Sequence, residues 1–185
     1  MSAFGIVALA ALLVVLWGVF IFNSLVRNRN LVAEGWSGIE TQLKRRADLI
    51  PNLVETVKGY ATHERAAFEE LTRLRASGQN TEGVAARADM ERQITTAIGK
   101  VLAVAEAYPD LKASANFQSL QRDLAEVEDQ IQLARRYYNG AVRNYNTMTE
   151  QVPSNLVANW FAFRKADFFE IEDAADRQVP KVSFG

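Results

Sequence analysis

Residues Ser114–Gln151 read SANFQSLQRDLAEVEDQIQLARRYYNGAVRNYNTMTEQ. Along them Phe117, Leu120, Leu124, Val127, Ile131, Ala134, Tyr138, Ala141, Tyr145 and Met148 recur at alternating steps of three and four. A strand would need a period of two, whereas this spacing places all ten side chains on one stripe of a helix. A stripe of that length predicts antiparallel partners in a bundle or coiled coil, because it must be covered.

Working outward, the chain offers those partners. Upstream, Glu82–Ala107 reads as a helix burying Met90, Ile94, Ile98, Val101 and Ala105. Tyr108-Pro109-Asp110 ends it, since proline disfavours helical geometry in the residue before it. Ser77–Gly83 (SGQNTEG) reads as a loop, with Asn80 or Thr81 as the cap of the next helix. Before that loop, Trp36, Ile39, Leu43, Ile50, Leu53, Val57, Tyr60, Ala67, Leu71 and Leu74 form one continuous stripe, interrupted by Arg46 where an apolar residue is expected. Downstream, Pro153 ends the long helix or begins a shorter one capped by Ser154. The polar tail from Asp173, closing on VPKVSFG, is expected to finish extended. The fold class is therefore all-α, with short loops that set successive helices antiparallel.

At the other end, Ala3–Phe22 (AFGIVALAALLVVLWGVFIF) is a run of 20 residues without a charge, and the first charged side chain is Arg27. Twenty helical residues span about 30 Å, the thickness of the hydrocarbon core of a bilayer. A signal peptide would carry a basic leader and a shorter apolar core of roughly 7–15 residues. The reading is a single transmembrane helix that meets membrane lipid through residues 3–22. Arg27 and Arg29, then Lys44, Arg45 and Arg46, follow the span, so the positive-inside rule predicts a short N-terminus outside and a cytoplasmic helical domain of a bacterial membrane. The expected domains are 1–26 for the outside N-terminus and anchor, 27–172 for the bundle, and 173–185 for the C-terminal tail.

The chain has 21 basic and 22 acidic residues, one histidine and no cysteine. That balance gives no pull toward nucleic acid. The absence of cysteine excludes disulfides, thiol catalysis and thiolate metal sites. His63 alone supplies neither a catalytic triad nor a two-histidine metal motif, and no glycine-rich phosphate cradle is present. Glu126, Glu128 and Asp129 match a solvated helix face better than a calcium loop. No catalytic residue, metal ligand or cofactor is expected.

Two stretches stand out. In Lys44–Leu53 (KRRADLIPNL), Pro51 lies inside a helical pattern, where it costs on the order of 3 kcal/mol. It predicts a kink or a break, or a moulded surface on which Arg45, Arg46, Asp48 and Asn52 face a partner; the basic cluster Lys44-Arg45-Arg46 is also expected to pair with acids such as Asp123, Glu126 or Glu128, or with another protomer. Second, Trp160, Phe161, Phe163, Phe168 and Phe169 crowd five aromatics into ten residues. They are read as a bundle-end core or a protein interface, because Asp167 and Glu170 interrupt the basic face that a lipid-surface helix would have.

These blocks together resemble the LemA family of bacterial membrane-anchored helical proteins. The resemblance is carried by Trp36-Ser37, LKRRADLIPNLVETVKGYATHE (Leu43–Glu64), YPDLKASANFQSLQ (Tyr108–Gln121), ARRYYNGAVRNYN (Ala134–Asn146), VPSNLVANWFAF (Val152–Phe163) and PKVSF (Pro180–Phe184). Val127 and Val152 depart from the threonine and phenylalanine expected there. The resemblance implies an N-terminal anchor, a helical bundle and no assigned enzyme activity. It also implies kinship with the magnetosome protein MamQ, associated with forming intracellular membranes, and an association with membrane metalloproteases of the HtpX kind.

The expected function is that of a non-enzymatic, membrane-anchored protein that self-associates as a homo-oligomer and scaffolds or remodels membrane. The alternative is an adaptor for another membrane protein, such as a protease of the HtpX kind or a sensor kinase. Candidate interaction or structural positions are Arg45, Arg46, Asp48, Pro51, Asn52, Trp160, Phe161, Phe163, Phe168 and Phe169.

Overall fold

The computed structural model describes residues 3–61 and 63–170. Among them are six helices and no strand: α1 (Ala3–Lys58), α2 (Arg65–Gln79), α3 (Val84–Glu106), α4 (Pro109–Lys112), α5 (Ala115–Glu150) and α6 (Ser154–Trp160). The tail from Asp173 and the PKVSF block lie outside the described residues. The chain divides into two compact units, Met1–Thr41 with Gln132–Phe168, and Gln42–Ile131 with Phe169–Gly185.

In the second unit, the buried core joins Ile50, Leu53 and Val57 of α1 to Leu71 and Leu74 of α2, Ile94, Ile98 and Val101 of α3, and Phe117, Leu120 and Leu124 of α5. α2 and α3 pack as an antiparallel hairpin: Arg87 near the start of α3 donates to Gly78 O at the end of α2, and Lys100 further along reaches Glu70 at 3.0 Å.

Four local readings change here. The stripe from Trp36 to Leu74 is two helices, because α1 stops at Lys58 and the chain turns through Gly59 and Tyr60, whose N–H groups donate to Glu55 O and Val57 O. Ala61 is fully buried beyond that turn, so the apolar phase continues while the helix does not. The loop read as Ser77–Gly83 shrinks, as α2 runs on to Gln79. Asn80 and Thr81 do not cap α3: their side chains donate back to Ala76 O and Ser77 O, closing α2, and Gly83 at φ 86° opens α3. Ser154 likewise serves the preceding helix, its hydroxyl donating to Met148 O at 2.7 Å and Gln151 O at 3.0 Å.

Pro51 neither ends nor breaks α1. Proline has no N–H to give the carbonyl four residues back, which here belongs to Ala47. Arg75 Nε of α2 donates to Ala47 O at 2.7 Å and so replaces the missing helical bond.

In the first unit, α1 and α5 run antiparallel, with Ser24 and Asn28 beside Met148 and the Trp36 ring tilted against that of Tyr138, centroids 5.6 Å apart. Gly35 lets them approach closely: a Cβ there would lie 3.0 Å from Tyr138 Cα and 3.2 Å from Tyr137 Cδ1.

Candidate functional site

The side chain that interrupts the α1 stripe is fully inside. Arg46 is 2% exposed and sits between the buried Leu43 and Ile50 on α1. Its Nη1 donates to Thr95 Oγ1 at 2.8 Å and Glu128 Oε2 at 2.9 Å, and its Nη2 donates to Glu91 O at 3.3 Å and to Glu91 Oε2. The other oxygen of Glu91, Oε1, lies 2.8 Å from Arg87 Nε. One guanidinium thus ties α1 to both α3 and α5, and Arg87 extends the network to the end of α2.

A buried charge is tolerated only when paired and hydrogen-bonded, and the planar five-donor fork of arginine suits such a junction. Opposite charges alternate through Arg87, Glu91, Arg46 and Glu128, so the network is neutral. By joining three helices through one side chain, this arrangement fixes helix register. Beside it lies an open concavity of about 330 Å³ with a largely aliphatic wall, including Ile98, Leu102 and Leu124. Among the described residues, no three His, Cys, Asp or Glu side chains assemble as a metal-holding group.

The rest of that stretch is on the surface. Arg45 is exposed and pairs with Glu126 at 3.1 Å. Asp48, Pro51 and Asn52 are exposed, and so is His63. Two residues of these contacts were not singled out from the sequence: Glu91, a carboxylate on an amphipathic helix, and Arg75, whose role depends on a carbonyl no sequence pattern marks.

The aromatic stretch belongs to the first unit, except for Phe169, which is buried. Ile21 and Leu25 at the end of the apolar segment of α1 are buried with Ala158 of α6, flanked by Met148, Val157 and Phe163. The Phe22 ring lies 4.7 Å from the Phe161 ring and 5.6 Å from the Phe163 ring, and the Arg29 guanidinium stands 5.4 Å over Phe163.

A Schellman closure of α6 produces this placement. Phe163 N–H donates to Ala158 O and Ala162 N–H to Asn159 O, with Ala162 in the left-handed region at φ 55°. That turn folds Phe163 back under its own helix. The chain beyond is clamped to α5: Asn146 exchanges two 2.9 Å hydrogen bonds with the backbone of Ala166, and Tyr138 OH donates to Asp167 O at 2.8 Å. Burial, with Asp167 nearby, raises the Tyr138 pKa; burial also raises that of Tyr145, opposed by Arg29.

The expected bundle-end core does not form from all five aromatics. Trp160 is 85% and Phe161 56% exposed, Phe168 is also exposed and Phe163 is half-buried; only Phe169 is inside. Asn146 was legible as part of ARRYYNGAVRNYN, but its role as a backbone clamp was not.

Among the described residues one helix, α1, is long and apolar enough to cross a membrane, and its segment from Phe4 to Phe20 is almost wholly exposed. The sequence model described as the LemA family matches residues 35–184. Protein LemA of Metamycoplasma hominis is 26% identical over 172 residues, covering 89% of this chain and 76% of that protein. Magnetosome protein MamQ 2 of Paramagnetospirillum magneticum is 24% identical over 169 residues, covering 77% of this chain. Magnetosome protein MamQ of Magnetospirillum gryphiswaldense is 22% identical, again over 77% of this chain. The match spans 62% of the length of each of these two MamQ proteins. None of these names denotes an enzyme.

Proposed function

The chain belongs to the LemA family, and from that premise we propose that it is a non-enzymatic protein of a bacterial membrane that self-associates and scaffolds or remodels the bilayer. The observation that carries this reading is the way the apolar helix enters the folded unit. A helix serving only as a tether would leave the membrane through a solvated linker. Here Ile21 and Leu25, at the end of the apolar run, are buried against Ala158. The end of the span is therefore packed into the folded unit, and a change in its tilt or depth strains that contact directly. Kinship with proteins named for the magnetosome supports a role at a membrane, and the excess of Arg and Lys after the span supports a cytoplasmic helical domain.

The test is reconstitution of the full-length protein into vesicles. Self-association is expected to appear as oligomers by light scattering in detergent and by crosslinking in the bilayer, and remodelling as tubules or flattened vesicles by electron microscopy. A strict monomer at all workable concentrations, with vesicle shape unchanged, refutes the proposal. The exposed Asp48, Pro51 and Asn52, beside the Arg46 junction, favour the adaptor role as a second reading. A photocrosslinker at Asn52 would then capture one specific membrane protein in cells, and only self-crosslinks would count against it.

A further inference from the structure

We infer that α6 is an interfacial foot: its exposed apolar face lies in the boundary layer of the bilayer beside the exit of α1, with lipid as its occupant. The inference rests on the membrane reading above and adds a second contact that the span alone does not supply.

Four apolar side chains stand out around α6: Val152 at 78%, Leu156 at 66%, Trp160 at 85% and Phe161 at 56% exposed. Leu156 and Trp160 are four residues apart and share a helix face, opposite the buried Ser154 and Ala158. A tryptophan so exposed on an aliphatic patch is unfavourable in water, whereas its amphipathic ring suits the headgroup level of a membrane.

The position of the patch decides the occupant. Phe22 is 19 residues beyond Ala3, about 28 Å along the helix, where the hydrocarbon core ends. The Phe161 ring touches Phe22. Phe163 lies between Phe22 and Arg29, which is about 10 Å further along α1, at headgroup distance. α6 is thus held at the depth where acyl chains give way to headgroups. Just before Phe22, Val19 and Phe20 of the span are themselves exposed. The buried pair Ile21 and Leu25 fixes α6 at that depth, and the left-handed turn at Ala162 fixes the two phenylalanines.

The absence of cysteine makes the test direct. Single-cysteine variants Leu156→Cys and Trp160→Cys of the full-length protein are spin-labelled in phosphatidylcholine vesicles, with Leu12→Cys in the span and Ser37→Cys on the exposed part of α1 as references. Collision rates are measured with oxygen, which concentrates in lipid, and with a nickel chelate, which stays in water. At 156 and 160 the expected result is a nickel collision rate several-fold below that at 37 and an oxygen-to-nickel ratio between those at 12 and 37. Nickel access equal to that at 37 overturns the inference. Exclusion of both reagents also overturns it, since a protein surface then covers the patch. Failure of the label at 12 to meet oxygen would remove the membrane reading itself, a separate outcome.

Discussion

Removing the Arg46 guanidinium tests how the second unit is held in register. The side chain makes contacts to Thr95, Glu128 and both the carbonyl and carboxylate of Glu91. Two unit charges about 4 Å apart attract by about 4 kcal/mol at an effective dielectric near 20, and deleting one partner of a buried pair costs about 3–5 kcal/mol. Arg46→Met keeps the aliphatic stem but takes one cation from Glu91, whose side chain is 3% exposed. Arg87 remains 2.8 Å from the other oxygen, so the expected loss lies at the lower end, about 3 kcal/mol.

Glu91→Gln is expected to cost a similar amount, since it leaves Arg46 with the partly wet Glu128 as its charged partner. Glu128→Gln is expected to cost less than about 1 kcal/mol, because that carboxylate is 37% exposed and water can replace it. The assay is chemical unfolding of the full-length protein in mild detergent, followed by far-ultraviolet circular dichroism. The double variant Arg46→Met with Glu91→Gln removes both charges, so its loss should fall short of the sum of the single losses by about 2 kcal/mol. Additive losses, or an Arg46→Met variant within about 0.5 kcal/mol of the parent, would refute the account of Arg46 as a buried junction.

Three further outcomes are expected. Arg75→Met should cost about 1–2 kcal/mol by leaving Ala47 O unpaired, and much less in a Pro51→Ala background that restores the helical N–H, as read by the same unfolding assay. Gly35→Ala should destabilise by about 1–3 kcal/mol through collision with the backbone at Tyr138, while Gly38→Ala, with nothing within 4 Å, should gain about 0.5–1 kcal/mol from helix propensity. The raised pKa of Tyr138 means that the unfolded chain loses its phenolic proton first; the stabilisation is complete below about pH 10 and is lost as pH rises through the folded value. The deficit of Tyr138→Phe relative to the parent should therefore shrink above about pH 10 in unfolding measured as a function of pH.

What the sequence could report differs from element to element. α5 was legible almost to the residue, because ten apolar positions keep phase without interruption. The end of α1 was not, since Val57, Ala61, Phe68 and Leu71 retain helical phase across the turn at Gly59, and periodicity senses phase rather than continuity. The burial of Arg46 was foreshadowed by its place on the stripe. Its partner Glu91 was hidden because a carboxylate on an amphipathic helix ordinarily faces water. Pro51 was visible as an anomaly, but the consequence depends on Arg75, 24 residues later, which only the tertiary fold brings to Ala47. The closure at Ala162 was likewise illegible: glycine is the usual residue at a left-handed helix end, and alanine gives no signal.

The two units treat polarity in opposite senses, and that contrast bears on function. In the second unit a cation and a carboxylate are taken deep inside and satisfied, with the apolar side chains gathered around them. In the first unit Trp160, Phe161 and Leu156 are left outside while the amide of Asn146 is buried against backbone. A chain surrounded only by water gains from turning such aromatics inward, and the first unit has a nearby apolar cluster, Ile21, Leu25 and Ala158, that could have received them. Instead, Asn146 and Tyr138 hold the following strand of chain in place, and the closure at Ala162 keeps Phe161 at the level of Phe22. Outward apolar side chains beside a helix whose own outer face is apolar for 20 residues are what the proposed interfacial placement of α6 would require.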